Sequence, residues 1–253
     1  MQIGLAGKAI IITGAASGIG AAIARMACRS GADQLLLTDR DGPGLQAIAA
    51  ELRMASAQAD LIDAVAPQVI AAAALQHFGR IDGLVNAAGL TTRAGFTDGT
   101  ISLWDNLFTV NARAPFFLMQ AAIADMLRRK SAGAIVNIQS VNAHCGLPEL
   151  AIYSASKAAL STLTKNAAHA HMADRIRVNG INLGWVATPT EDRLQTLTHG
   201  PDWLVKASTT MPLGRLVEAD EAARLVIYLL SNASAPLSGT VIDLEQKVIG
   251  APG

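Results

Sequence analysis

Three side chains in the middle of the chain could transfer a proton together. Tyr153 and Lys157 are four residues apart in the alanine-rich run 151–170, so on a helix they share one face, with Cβ atoms about 5–6 Å apart. A phenol titrates near ~10 in water, and bringing that pKa to ~7 takes about 4 kcal/mol, which one positive charge at roughly 4 Å can supply. Ser140 ends an apolar run and offers a hydroxyl to hold a substrate oxygen. The three residues predict acid–base chemistry on an oxygen at neutral pH.

Composition argues against several classes of protein. The 253 residues include 20 Lys and Arg and 20 Asp and Glu, and no segment concentrates the basic residues, so no nucleic-acid partner is indicated. No run fits a membrane span, and Met1 leads directly into a short apolar strand without a signal peptide. Cys28 and Cys145 are far apart, and His169 and His171 would point to different helix faces. These observations indicate a cytoplasmic protein with no membrane segment and no metal site.

Short apolar runs alternate with longer helical stretches along the chain. Several runs are continuously apolar, as in strands covered on both faces. The pattern predicts an α/β fold with a doubly wound, parallel, seven-stranded sheet (Rossmann-like) and helices on both faces, in one domain over 1–253. The predicted strands are 8–13, 34–39, 57–60, 82–86, 133–140, 175–182 and 239–244, and the predicted helices are 18–30, 43–53, 63–78, 101–130, 151–173 and 218–231. Segment 188–213 has no strand pattern and is predicted to be a substrate lid after the sixth strand.

A glycine-rich turn follows the first predicted strand and opens the first helix. Glycines let the backbone approach a pyrophosphate, and the helix N-terminus offers free N–H groups to it. The spacing is G-x-x-x-G-x-G rather than the commoner G-x-G-x-x-G, and the residues expected at the cofactor are Gly14, Ser17, Gly18, Ile19 and Gly20.

An acid stands at the end of the second predicted strand. Asp39 can accept hydrogen bonds from the adenosine ribose hydroxyls and repel a 2′-phosphate, which favours NAD over NADP. Arg40 beside it could instead hold a 2′-phosphate. The same carboxylate could also serve only as a turn former before 41–42.

These features together resemble the short-chain dehydrogenase/reductase family, in its compact single-domain branch. The resemblance covers nearly the whole chain, from residue 8 to about 243. It rests on motifs in the family's order, namely Thr13-Gly14-x-x-x-Gly18-Ile19-Gly20, Asp60-Leu61, Asn86-Ala87-Ala88-Gly89, Asn111, Ser140 and Tyr153-x-x-x-Lys157. It implies an NAD(P)-dependent enzyme that transfers hydride between a secondary alcohol and a ketone, assembled as a homotetramer through the long helices and the last strand.

The resemblance also implies residue roles. The implied catalytic residues are Asn111, Ser140, Tyr153 and Lys157, with Asn111 binding a water at a local break in its helix. The implied cofactor contacts beyond the glycine turn and Asp39 are Asp60 and Leu61 at the adenine, Asn86, Ala87 and Gly89 along the cleft, Tyr153 and Lys157, and Val186 and Thr188 at the nicotinamide. Alternatives remain: Asn86 could merely tie strand ends together, Asp60 could be a helix N-cap, and Asn111 could be a satisfied buried amide.

Three positions depart from the family pattern. Leu183-Gly184 stands where Pro-Gly is common, which frees the loop at the nicotinamide end. Leu244-Glu245 follows Asp243 where two glycines are frequent, which changes C-terminal packing. Gln139 precedes the serine where a small residue is usual.

The expected substrate is a small alcohol or ketone. The predicted substrate contacts are Arg93, Asn142, His144 and Trp185, from the loops after the fourth, fifth and sixth strands. Hydrogen-bonding side chains there favour a sugar or polyol, whereas Arg93 and His144 could anchor a carboxylate or phosphate. Trp185 and Trp203 could instead pack within the lid. The alternative functions are a ketoreductase acting on acyl-carrier thioesters and a non-catalytic sensor of NAD(H).

Overall fold

One large parallel sheet organises the computed structural model, which describes residues 3–248. Its strands are β1 (Ala9–Thr13), β2 (Gln34–Asp39), β3 (Ala55–Gln58), β4 (Gly83–Asn86), β5 (Gly133–Ser140), β6 (Ile176–Leu183) and β9 (Val241–Leu244). They lie in the order β3-β2-β1-β4-β5-β6-β9, and every neighbouring pair is parallel. The order reverses between β1 and β4, so a crevice opens at the carboxyl ends of the strands. The predicted seven-stranded, doubly wound sheet is confirmed. Residues 1–2 and 249–253 of the predicted domain lie outside the described residues.

Helices cover both faces of this sheet. They are α1 (Gly18–Arg29), α2 (Gly42–Leu52), α3 (Ala66–Phe78), α4 (Ile101–Phe108), α5 (Ala114–Arg129), α6 (Ala151–His171), α7 (Pro189–His199), α8 (Trp203–Thr209) and α9 (Ala219–Leu230). Successive strand residues point to opposite faces. In β1, Ile10 and Ile12 therefore pack with α1, α2 and α9, whereas Ile11 packs with α3, α5 and α6. Two apolar cores of this kind hold the sheet between two helical layers.

The single helix predicted over 101–130 is interrupted in the structure. A π-helical turn, Thr109–Arg113, separates α4 from α5. Pro115 in the first turn of α5 has no N–H to donate to the carbonyl of Asn111, four residues earlier, so a regular helix cannot continue there. The whole stretch Ile101–Arg129 is long and apolar enough to cross a membrane by length and composition, yet 61% of its most apolar window is buried inside the fold. That burial is typical of a core helix.

The third strand and third helix differ from their predicted bounds. The strand predicted over 57–60 is Ala55–Gln58, because the chain turns at Asp60, whose carboxylate accepts the Ile62 N–H at 3.0 Å. A second such turn at Asp63, which accepts the Val65 N–H at 3.1 Å, delays the helix predicted from 63 to Ala66.

The predicted lid segment, 188–213, forms α7 and α8. Two short strands flank it, β7 (Val186–Ala187) and β8 (Val217–Glu218), and they pair with each other apart from the main sheet. The Trp203 side chain is buried with Ala207 and Leu216, and its indole N–H donates to Asp192 at 2.9 Å. Trp203 therefore packs within this segment, as the alternative interpretation held.

The glycine turn between β1 and α1 leaves no room for side chains at two positions. Gly14 has a φ of +68°, and a Cβ there would lie 2.8 Å from the Ala88 backbone. A Cβ on Gly20 would overlap the carbonyl oxygen of Gly14. The Asp39 carboxylate accepts the Ala16 N–H at 3.0 Å and so holds the turn against β2. The turn is thus fixed from both sides by backbone contacts.

We expect Gly20→Ala to lower the free energy of unfolding by roughly 1–3 kcal/mol, because the new methyl group has no space to enter. Gly4→Ala is the matched control, since its only neighbour within 4 Å is the Ser30 carbonyl oxygen at 3.9 Å. That control should change stability by less than about 0.5 kcal/mol. Urea denaturation of both variants measures the difference, and equal stabilities would contradict the tight turn.

Candidate active site

A cleft of about 780 Å³ lies at the carboxyl ends of the strands. Its walls come from the turns after β1, β2, β4, β5 and β6 and from α6 and α7. It brings together most of the predicted cofactor residues, namely Gly14, Ser17, Gly18, Ile19, Gly20, Asp39, Asp60, Leu61, Ala87, Gly89, Tyr153, Lys157, Val186 and Thr188. Residues separated by up to 174 positions in the sequence, from Gly14 to Thr188, therefore face one space.

Tyr153 lies in the first turn of α6 and lines this cleft with only 7% of its surface exposed. Burial raises the pKa of its phenol, a hydrogen-bonding interaction with Ser140 opposes that rise, and the negative charge of Glu191 adds to it. The expected lowering of the phenol pKa is therefore not found in the protein alone. Removing the hydroxyl from water outweighs the hydrogen bond from Ser140, and the Glu191 charge acts in the same direction as burial.

Lys157 is buried one helical turn further along α6. Its Nζ donates to the Ile138 carbonyl at 2.9 Å and lies 5.9 Å from the centre of the Tyr153 ring. Burial lowers the pKa of the amine to about 8. The side chain is therefore still mostly an ammonium at neutral pH. It is held by a hydrogen bond to the Ile138 carbonyl near the end of β5.

Ser140 ends β5 beside Tyr153 in the cleft. Its Oγ accepts the Asn142 backbone N–H at 3.2 Å and the Asn142 side-chain amide at 3.1 Å. With both donors directed at the oxygen, the hydroxyl proton is free to point towards another acceptor. The predicted serine and tyrosine hydroxyls thus line the same wall.

Asn111 occupies the π-helical turn behind the cleft and is fully buried. Its Oδ1 accepts the Leu90 N–H at 2.9 Å, and its Nδ2 donates to the Leu90 carbonyl at 2.9 Å and to Ser156 Oγ at 3.0 Å. A Cβ on Gly89 would lie 3.2 Å from Lys157 Nζ and 3.4 Å from Asn111 Oδ1. Asn111 does not line the cleft; it ties the loop after β4 to α6 next to the lysine.

A buried row of polar side chains lies under the predicted catalytic residues. The Asn86 amide donates to Asn137 Oδ1 at 2.8 Å, and the Asn137 amide donates to Thr164 Oγ1 at 2.9 Å. Gln139 donates to the same threonine oxygen at 2.9 Å. Asn86 thus joins β4 to β5 and does not line the cleft, which agrees with its alternative role. Asn137 and Thr164 were not predicted, although a polar residue inside the apolar strand A-I-V-N-I was the available signal.

At the end of the cleft predicted to hold the adenine, Asp39 forms the turn and also lines the cleft. One carboxylate oxygen accepts the Ala16 N–H and the other accepts the Asp41 N–H, each at 3.0 Å. The residue also lines the cleft, and so does Arg40 beside it. The acid shapes the turn and presents its charge to the same space.

Three of the four predicted substrate residues line the cleft. Arg93 is paired with Glu149 at 2.9 Å, Asn142 is bound to Ser140, and Trp185 donates its indole N–H to Glu191 at 2.8 Å.

The prediction for His144 is not met, since this residue does not line the cleft. Its Nε2 lies 3.0 Å from an Asp243 oxygen and 3.2 Å from the Asn182 amide. The parallel pairing of β6 with β9 brings Asp243 beside Asn182, and this polar pair draws the imidazole away.

All three departures from the family pattern reach this region, and Gln139 itself lines the cleft. Leu183 and Gly184 line the cleft, so the position without proline still forms its wall. The Glu245 carboxylate fills the space next to Gly184, where a Cβ would overlap it. Leu244 pairs with Leu183 in the sheet.

The cleft fits a nicotinamide dinucleotide. Two glycines that cannot carry a Cβ bring bare backbone to its floor, and the start of α1 presents unpaired N–H groups with a partial positive charge. An acid at the far end suits ribose hydroxyls, and a buried lysine stands at the other end. By contrast, residues 3–248 contain no group of three or more His, Cys, Asp or Glu side chains that could hold a metal ion.

Known proteins resemble this chain over nearly its full length. Residues 14–245 match a protein family described as enoyl-(acyl carrier protein) reductase. The chain is 33% identical over 246 residues to gluconate 5-dehydrogenase of Gluconobacter oxydans (strain 621H), a match that covers 95% of this chain and 94% of that protein. It is 31% identical over 250 residues to a 3-oxoacyl-(acyl-carrier-protein) reductase of Thermotoga maritima, covering 97% and 99%.

A solved structure shares the fold at high similarity. The crystal structure of L-sorbose reductase from Gluconobacter frateurii, complexed with NADPH and L-sorbose, matches with a TM-score of 0.93 and 27% sequence identity. The match covers 100% of both chains.

We expect the buried Lys157 to make stability rise with pH. The folded protein releases this proton near pH 8, whereas the unfolded chain keeps it up to about 10.5, so the unfolded chain binds more protons between these values. Relative to Lys157→Met, the wild type should gain roughly 1–2 kcal/mol of unfolding free energy from pH 8 to pH 9.5.

Urea denaturation without added dinucleotide measures this difference. Lys165→Met removes an exposed lysine from the same helix and is the matched control, which should track the wild type. Parallel pH profiles for the wild type and Lys157→Met would contradict the lowered pKa.

Proposed function

Since the chain belongs to the short-chain dehydrogenase/reductase family, we propose that it oxidises a secondary alcohol, or reduces the matching ketone, with a nicotinamide dinucleotide as hydride carrier. The observation that carries this proposal is the shared cleft wall of Ser140, Tyr153 and Lys157 beside a glycine turn. A proton donor, an oxygen-binding hydroxyl and a buried ammonium are the groups that such a reaction requires.

The residues divide the work around one substrate oxygen. Ser140, whose Oγ already accepts two hydrogen bonds from Asn142, donates its proton to that oxygen and fixes its position. Tyr153 exchanges the proton: its raised pKa keeps the phenol protonated and able to donate to a carbonyl oxygen. Alcohol oxidation needs the phenolate, which the Lys157 ammonium stabilises. The bound dinucleotide supplies the hydride acceptor for oxidation and the hydride donor for reduction.

We propose a preference for NAD over NADP. The Asp39 carboxylate faces the cleft at the end of β2, where a 2′-phosphate would meet a negative charge. The opposing feature is Arg40, which lines the same end, and the similar L-sorbose reductase structure contains NADPH.

The proposed substrate class is a sugar or polyol. The catalytic end of the cleft is lined by hydrogen-bonding side chains, among them Thr91, Asn142, Thr190 and Gln195. The relatives named for gluconate and L-sorbose support this class. The alternative is a ketoreductase for acyl-carrier thioesters, which the Thermotoga relative favours and the balanced charge of 20 basic and 20 acidic side chains disfavours. A sensor of NAD(H) is disfavoured by the presence of both Tyr153 and Lys157.

We also propose that α7 and α8 act as a substrate lid and that the protein is a cytoplasmic homotetramer. The lid proposal rests on the residues of α7 that line the cleft. Exposed apolar side chains on α4 and α5, such as Trp104 and Phe116, suit an assembly interface. Both cysteines are free, which suits a reducing compartment.

Replacing Tyr153 by Phe should remove proton transfer and leave dinucleotide binding intact. We expect kcat to fall by roughly 10²–10⁴-fold. The Kd for the dinucleotide, measured by fluorescence titration, should stay within about twofold because no binding contact of comparable size is lost. Tyr228→Phe is the matched control, since it alters the second of the two tyrosines, on α9. Turnover at the wild-type rate in Tyr153→Phe would reject the assignment.

Replacing Asp39 by Asn should relax cofactor choice, because the charge that repels a 2′-phosphate is lost. We expect the ratio of kcat/KM for NADP to that for NAD to rise roughly tenfold or more. Asp41→Asn is the matched control: this acid caps α2 through the Gly44 N–H and does not line the cleft. An unchanged ratio in Asp39→Asn, or an initial preference for NADP, would contradict the proposed role.

A further inference from the structure

A carboxylate without a cationic partner faces the catalytic end of the cleft. Glu191, in the first turn of α7, accepts hydrogen bonds at Oε1 from the Trp185 indole and from the Gln195 amide, each at 2.8 Å. No residue in 3–248 donates a hydrogen bond to its Oε2, and no Lys, Arg or His of that range pairs with it. One oxygen is therefore fixed and the other is available to a ligand.

The surroundings hold Glu191 rigidly. Its backbone N–H donates to Thr188 Oγ1 at 3.2 Å, which caps α7, and Gln195 is itself only 4% exposed. Two neutral donors at a single oxygen orient the carboxylate without neutralising its charge. The negative charge of Glu191 can consequently act on a ligand in the cleft.

Glu191 stands close to the reacting groups. It lines the same cleft as Ser140 and Tyr153, and its charge contributes to the raised pKa of the Tyr153 phenol. A substrate whose oxygen lies between Ser140 and Tyr153 extends its neighbouring carbons along this wall.

We propose that Glu191 selects the substrate: Oε2 accepts a hydrogen bond from a hydroxyl of the polyhydroxylated chain, and the charge excludes a carboxylate or phosphate from that position. The substrate is then a neutral ketose or polyol rather than a sugar acid. This inference rests on the proposed function and adds a substrate class to it.

Arg93 and Lys247, which also line the cleft, do not compensate for this charge. Arg93 is already paired with Glu149 at 2.9 Å, and both side chains are partly exposed. Lys247 also lines the cleft, but it is exposed to solvent, where salt screens its charge. The buried Lys157 also lines the cleft, where its Nζ is bound to the Ile138 carbonyl. We expect an anionic group placed next to Glu191 to be repelled by this carboxylate.

The test uses ketones that differ only in charge. D-Fructose and 2-keto-D-gluconate share every carbon centre except the first, which is a hydroxymethyl group in one and a carboxylate in the other. L-Sorbose and 5-keto-D-gluconate differ in the same way at the end remote from the ketone. For each pair, the ratio of kcat/KM is measured for the wild type and for Glu191→Gln, whose amide keeps an oxygen for Trp185 and Gln195.

We expect the wild type to favour the neutral member of at least the first pair by roughly tenfold or more, and Glu191→Gln to reduce that ratio at least roughly tenfold. Asp192→Asn is the matched control: it removes the adjacent charge, which faces the buried Trp203, and should leave the ratio within about twofold. A wild-type preference for the keto acids, or an unchanged ratio in Glu191→Gln, would overturn the inference.

A second readout separates this inference from the proposed function. If the wild type reduces none of the four ketones, the proposed sugar or polyol reaction fails. The ratio of binding constants for each pair, from quenching of tryptophan fluorescence in the presence of dinucleotide, is then judged by the same criteria. A ratio of binding constants that changes in Glu191→Gln supports the proposed selectivity. A ratio that is the same in both proteins rejects it.

Discussion

Burial of the Lys157 amine is the constraint on which the arrangement of the site depends. A charged side chain with 4% exposure costs stability, and the pKa of about 8 corresponds to roughly 3 kcal/mol. The Ile138 carbonyl partly offsets this cost with a hydrogen bond at 2.9 Å. The Ile138 carbonyl can accept this hydrogen bond only if the end of β5 lies next to Lys157 on α6. The position of α6 along the sheet is therefore fixed. Burial also raises the pKa of the Tyr153 phenol. The packing of α6 against β5 therefore shifts the pKa values of both side chains.

The polar residues behind the cleft keep that meeting point fixed. Asn86, Asn137, Gln139 and Thr164 connect β4, β5 and α6 through side-chain hydrogen bonds of 2.8–2.9 Å. Asn111 adds a link from the π-helical turn to α6 through Ser156. Buried polar groups are costly when unpaired, so such a network favours one register over its neighbours. The predicted catalytic residues therefore rest on a network that a one-residue shift in register would break.

Sequence patterns predicted the features set by local physics. Apolar runs located central strands such as β1 and β5, because a strand buried on both faces must be apolar. The edge strand β3 alternates between half-buried and exposed residues, and its predicted bounds were two residues too late. The break at Asn111 could also have been derived from Pro115, which removes one helical hydrogen bond. His144 could not be placed, because its partner Asp243 is 99 residues away and arrives with the last strand. The direction of the Tyr153 pKa failed for a similar reason: burial depends on the whole fold, whereas helical spacing reports only the nearest charge.

Two indole hydrogen bonds hold the helices of the proposed lid together. Trp185 is tied to Glu191 and Trp203 to Asp192, and the two rings lie 5.8 Å apart. Both acids belong to the first turn of α7, so that helix, α8 and the tryptophans form one body. If this body acts as the proposed lid, product release would move it on its short connections, with Gly214, at a φ of +67°, as a pivot on one side. Glu191, which is proposed to select the substrate, would move with the lid. Substrate selection and product release would then share one motion.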